Sequence, residues 1–190
     1  LEPMYSNVPG QWGAIWLTEG STDHIFNYAT IKNASVGILM DSNDGTEEPT
    51  LILKNTLIYN SSNVGLLART GNIVGENLVI NNSGQSSLHL SLGGNYNFKH
   101  CTFANYWQNS YRQFPAVYIE NVLETPETVY MSDLNAEFSN SIIYGNNNLE
   151  LLFNRYEDVE FNYNFKEMTE KVSVVIPTKN RNDATLRCLR

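Results

Sequence analysis

The sequence predicts an all-β solenoid, a parallel β-helix with three short strands to each coil, and three observations carry that prediction. The first is a β-prone phrase closed by asparagine. It stands at 29–33 (Ala-Thr-Ile-Lys-Asn), 56–60 (Thr-Leu-Ile-Tyr-Asn), 78–82 (Leu-Val-Ile-Asn-Asn) and 101–105 (Cys-Thr-Phe-Ala-Asn), with a degenerate copy at 141–145 (Ser-Ile-Ile-Tyr-Gly). The closing asparagines are 27, 22 and 23 residues apart, close to the roughly 20–30 residues that one coil of a strand solenoid uses. The second is strict alternation within each phrase, and the third is a pair of further strand-like runs flanking every copy.

Taken in order, the phrase strand comes first. Side chains two residues apart share a face of a strand, so Ala29, Thr56, Leu78, Cys101 and Ser141 form one column. Ile31, Ile58, Ile80, Phe103 and Ile143 form the next column on the same face, uniformly large and apolar. The intervening column, Lys32, Tyr59, Asn81, Ala104 and Tyr144, is mixed and faces solvent. After the asparagine and a turn of small residues comes a second strand, at 37–40, 65–68, 87–90 and 116–119. A third completes each coil at 25–27, 51–54, 73–74, 96–99 and 136–138.

The asparagines have an architectural explanation. Asn33, Asn60, Asn82 and Asn105 recur at one bend, where each amide can donate to the carbonyl of the next and form a ladder that satisfies polar groups as the backbone leaves the sheet. Asn33, Asn60 and Asn81 also open Asn-x-Ser triplets. The first two belong to the ladder column, which argues against glycosylation there.

Composition narrows the function classes. The chain has 190 residues, 42% apolar and only 17% charged, with many hydroxyl and amide side chains. This suits a β-rich extracellular protein and excludes disorder. A net charge of −8 argues against nucleic acid and anionic membranes as partners, since both need a basic patch. Neutral glycans stay compatible. No apolar run reaches the roughly 18 residues of a transmembrane span, so the chain is expected not to cross a membrane by a helix. Cys101 and Cys188 lie far apart in unlike contexts and predict no disulfide framework, with Cys101 a small core residue.

Residues 11–20 (Gln-Trp-Gly-Ala-Ile-Trp-Leu-Thr-Glu-Gly), 27–33 and 92–107 (Leu-Gly-Gly-Asn-Tyr-Asn-Phe-Lys-His-Cys-Thr-Phe-Ala-Asn-Tyr-Trp) resemble the right-handed parallel β-helix surface proteins of Bacteroidota, known by their pectate-lyase-like repeat. The resemblance covers about residues 1–166. It implies a right-handed helix, an exported protein at the outer-membrane surface, often a lipoprotein, and further coils with an export signal before Leu1. It carries over no catalytic residue.

The tail differs. Residues 171–181 (Lys-Val-Ser-Val-Val-Ile-Pro-Thr-Lys-Asn-Arg) resemble the first strand and turn of the GT-A nucleotide-sugar glycosyltransferases. Read physically, they form a Val/Ile strand fit for a parallel sheet, with a helix start at 183–186. A domain boundary is expected near 167, giving a β-helix at 1–166 and an appended segment at 167–190. That segment is too short for a transferase domain, so no transferase activity is expected. As a strand without its own sheet it is expected to be poorly anchored. A gene fusion and a native cap both account for it.

Three groups of residues are candidates for chemistry. The loop at 41–48 places Asp41, Asp44, Glu47 and Glu48 around a glycine and offers oxygen ligands for Ca²⁺, though Gly45 falls one place early for an EF-hand. The two histidines of the repeats, His89 and His100, fall in an outward column beside Leu67 and Tyr118 and in the turn column of Asn55, Asn77 and Asn140. Each reads as a lone structural histidine. No paired carboxylates or basic residue in lyase fashion make an active site legible. The third group is aromatic: Tyr106, Trp107, Tyr111, Arg112 and Phe114 lie in a loop that lengthens one coil, and a second insertion spans 120–134. Loops on a rigid solenoid carry function, and exposed aromatic faces stack on sugars. The sequence therefore predicts a surface scaffold or a polysaccharide- or cell-surface-glycan-binding module without cofactor. The alternative is a piece of a polysaccharide lyase or glycosidase whose catalytic coils lie elsewhere.

Overall fold

The computed structural model describes residues 3–168, together with the backbone of Ser173–Val175 and Arg187–Cys188. After one 3-10 turn at Pro3–Tyr5 the described chain is strand and turn, and the fold is all-β with long parallel sheets. No helix among the described residues is long and apolar enough to cross a membrane.

Three parallel stacks build the molecule, each taking one strand from successive repeats. One runs through Trp12–Leu17, Ala34–Met40, the first half of Val64–Glu76, the first half of Leu88–Lys99, Val117–Glu120 and Leu151–Asn154. Another runs through His24–Asn27, Leu51–Lys54, the second halves of Val64–Glu76 and Leu88–Lys99, Leu134–Ser139 and Phe161–Lys166. The two long strands pass through both stacks and join them into one sheet, with a register shift between Arg69 and Gly71. The third stack is a five-stranded sheet of Thr30–Lys32, Leu57–Ser61, Val79–Ser83, Thr102–Asn105 and Ile142–Gly145.

The columns expected from the sequence appear in register. Ile31, Ile58, Ile80, Phe103 and Ile143 stand opposite one another and all are buried. Ile38, Leu66, Leu88, Val117 and Leu151 do the same in the first stack. Burying each such side chain contributes about 1.5–3 kcal/mol. Where Phe98, Phe103 and Phe138 meet, with ring centroids 5.2 to 5.8 Å apart, Gly75 makes the room. A Cβ on Gly75 would lie 2.5 Å from the Phe98 ring.

The recurring asparagines answer first to the backbone. Asn33, Asn60 and Asn82 have φ of 63°, 59° and 52°, and the turn column of Tyr28, Asn55, Asn77, His100 and Asn140 is left-handed as well. Asparagine tolerates this region better than other residues with a Cβ. The ladder expected at Asn33, Asn60, Asn82 and Asn105 is corrected to a single step, with Asn60 Nδ2 donating to Asn33 Oδ1 at 2.7 Å. Asn82 is exposed. Asn105 closes a longer loop, and its Nδ2 donates to the carbonyls of Ser83 and Gln85. Longer ladders stand outside the phrase: Asn77 donates to Asn55, which reaches diagonally to Asn27, and Asn95, Asn135 and Asn162 form one in-register column.

Strands Trp12–Leu17, Leu151–Asn154 and Phe161–Lys166 are additions to the sequence reading, which assigns no strand there. The insertion at 120–134 holds an antiparallel hairpin, Val122–Glu124 with Val129–Met131. The tail strand is also corrected: Ser173–Val175 pairs in parallel with Leu151–Asn154, whose edge gives it a sheet to join. The helix start expected at 183–186 lies outside the described residues, as does the Cys188 side chain. Cys101 is free and buried, and burial pushes its thiol up to about 11.

Candidate functional site

The lengthened loop after Asn105 divides into an anchor and an exposed rim. Arg112 is buried and pairs with Glu150, with Nη2 to Oε1 at 2.5 Å and Nη1 to Oε2 at 2.9 Å. Its remaining donations reach the carbonyls of Phe114 and Asn105 and Oδ1 of Asn146. Glu150 in turn accepts from the backbone N–H groups of Ala116 and Asn147 at 2.7 Å each. Among the described residues Nε of Arg112 is buried without a partner, but a guanidinium paired through both terminal nitrogens to one carboxylate fixes a loop.

The binding role expected for Arg112 is therefore corrected to an anchoring one. Trp107 is corrected too: it is only 7% exposed, and its indole N–H donates to Ser110 Oγ, so its face is not offered to a sugar. Tyr111, at 86% exposure, stands free of the core, and Tyr106 and Phe114 are exposed as well. Tyr106 meets Tyr144 with ring centroids 5.7 Å apart.

The acidic loop does not assemble as expected. Asp41 Oδ1 accepts from Arg69 Nη1 at 2.7 Å, and Oδ2 accepts the indole N–H of Trp16. Asp44 accepts from the backbone and hydroxyl of Thr46, which lowers its pKa from the ordinary value. Glu47 and Glu48 contribute backbone carbonyls to Asn72 Nδ2. Among the described residues no three of His, Cys, Asp and Glu are grouped to hold a metal ion. The Ca²⁺ expectation for Asp41, Asp44, Glu47 and Glu48 is thus without a gathered ligand set.

His89 is not the lone histidine that the sequence implies. Its Nε2 lies 2.8 Å from Glu120 Oε1, its ring stacks on Tyr118 at 4.8 Å, and Asn154 Nδ2 donates to Glu120 Oε2 at 3.1 Å. Burial works to raise the Glu120 carboxyl, but the His89 contact and the hydrogen bonds from Asn154 and Tyr118 outweigh it and hold the group below the carboxylate range. Burial and the Glu120 charge push the Tyr118 hydroxyl up. His100 is exposed at its left-handed turn. Arg69 and His89 occupy neighbouring strands of one stack, while Arg112 is buried under its own loop. The charged candidates do not converge in one groove.

A groove does exist, on the outer face of the second stack, where no single motif points. One wall is the in-register row Asn72, Asn95, Asn135 and Asn162, and the other is Val74, Asn97, Glu137 and Asn164. The space between them is about 320 Å³. Nδ2 of Asn135 donates to Asn95 Oδ1 at 3.1 Å, and Nδ2 of Asn162 to Asn135 Oδ1 at 3.0 Å. Glu137 accepts from Lys166 Nζ at 2.6 Å, which neutralises the one carboxylate of the lining. Tyr163, in register with the buried Ala136 and Tyr96, belongs to the opposite, inward face, where its ring stacks on Phe153 at 4.6 Å. The signal for this site was in the sequence as Asn95, Asn97, Asn135, Asn162 and Asn164, alternate residues of strands, yet only the pairing across 40 and 27 positions places them together.

No family model, no curated protein and no solved structure matches the chain.

Proposed function

We propose that the chain is part of a right-handed parallel β-helix, exported to the cell surface, that serves as a scaffold binding carbohydrate without catalysing its cleavage. The three parallel stacks, their like-on-like columns and the resemblance of residues 1–166 support the helical reading. The observation that carries the binding reading is the amide-lined groove. Asparagine offers both donors and acceptors to hydroxyl groups, and the single carboxylate among the lining residues is paired with Lys166.

The test is affinity electrophoresis through gels containing a panel of neutral and acidic polysaccharides. Retardation by at least one polysaccharide is expected, and it should fall at least several-fold in Asn135→Leu. Tyr111→Ala, at a fully projecting loop residue away from the groove, should migrate as the parent does. No retardation by any polysaccharide would sink the proposal.

A further inference from the structure

We infer that the groove takes an extended, neutral, β-1,4-linked polysaccharide lying across the strands, with one sugar over each repeat; this rests on the carbohydrate-binding reading above. Three observations lead there. The first is spacing: the walls repeat once per strand, at roughly 4.8 Å, about the length of one pyranose ring. The three rows of Asn95, Asn135 and Asn162 therefore give a floor of roughly 10 Å between outer rows, which fits about three sugars. The stacks are parallel and in register along this stretch, so an extended chain follows the floor, whereas a coiled α-linked chain would lift away from it.

The second observation is hydrogen-bond supply. An asparagine side chain has two N–H donors and two acceptor lone pairs. Along the ladder Asn135 uses one N–H on Asn95 and receives one from Asn162, which leaves it one donor and one lone pair. Both N–H groups of Asn162 are engaged, on Asn135 and on Glu160 Oε2 at 3.1 Å, leaving its oxygen as an acceptor. Asn95 keeps its donors. A row offering donors and acceptors at one-sugar intervals matches the vicinal hydroxyls of successive pyranose rings.

The third observation is charge and closure. Glu137 is held by Lys166, so nothing in the groove favours a carboxylated sugar, and the chain's net charge of −8 opposes one. At one end Asn72 turns away, its Nδ2 donating to the carbonyls of Thr46, Glu47 and Glu48. The acidic loop thus shuts that end.

Calorimetric titration of the protein with β-1,4-linked glucose oligomers of increasing length, and with oligogalacturonates, tests the inference. Affinity is expected to rise roughly three- to tenfold per added sugar, as one or two further hydrogen bonds form, and to level off after about three. Asn135→Leu should abolish the dependence on length. Equal affinity for short and long oligomers, or a preference for oligogalacturonate, would overturn the extended neutral chain while leaving carbohydrate binding intact. Failure of every oligomer and every polysaccharide to bind would remove both readings together.

Discussion

Arg112 shows how a residue's type and its role separate. In the sequence it is a cation in an aromatic loop. In the fold its side chain is 1% exposed and both terminal nitrogens are engaged by Glu150, itself 9% exposed. Removing one partner of such a pair strands a buried charge, so Arg112→Met should cost about 3–5 kcal/mol in urea unfolding. The double variant Arg112→Met, Glu150→Leu should recover much of that loss. A single-variant loss under about 1 kcal/mol would show that the pair does not hold the loop. His89 makes the reverse case. It looks isolated along the chain and turns out to share Glu120 with Asn154 and Tyr118, because partners 31 and 34 positions apart sit on adjacent strands.

The strands were legible wherever the repeat was regular. Period-two alternation placed Ile58, Ile80 and Phe103 inside and Tyr59 and Asn81 outside, because the side-chain period of a strand is local geometry. This contrast is measurable. Ile80→Ala, fully buried between Ile58 and Phe103, should destabilise by about 2–5 kcal/mol in thermal or urea denaturation. Tyr59→Ala, in the outward column of the same strand pair, should stay within about 0.5–1 kcal/mol. Equal effects would contradict the assignment of faces. Legibility ended where the regular spacing did: Leu151–Asn154 closes on an asparagine only nine residues after the last phrase copy, Phe161–Lys166 closes on none, and only pairing with Val117–Glu120 and Leu134–Ser139 identifies them. Of the aromatic loop, the sequence marked the position correctly, but Trp107 folds inward onto Ser110 while Tyr106 and Tyr111 stay outside. Alternation does not govern a loop, so burial there had no local signal.

At the scale of the molecule, parallel stacking turns a repeat in sequence into rows in space. Each row amplifies one side-chain property: apolar bulk inside, left-handed asparagine at the turns, amides along the groove. A neutral groove on an acidic protein should bind without help from charge. Affinity for a neutral oligosaccharide is therefore expected to stay constant as ionic strength rises from 0.01 to 0.15 M, while the screening length shortens from about 30 to about 8 Å. A fall of tenfold or more in titrations over that range would assign binding to a charged surface such as the Arg69 and His89 face.

The sequence by itself determined the all-β class, the register of the central repeats and the identity of the core columns, since alternation and recurrence are properties of neighbouring residues. Tertiary structure alone decided which polar residues are available. Asp41, Arg112 and Glu120 are consumed by partners 28, 38 and 31 positions away, and the groove of Asn95, Asn135 and Asn162 exists only once three strands lie side by side. Hydrogen bonding is satisfied across space, and a chain read in one dimension shows the groups but not which of them remain free.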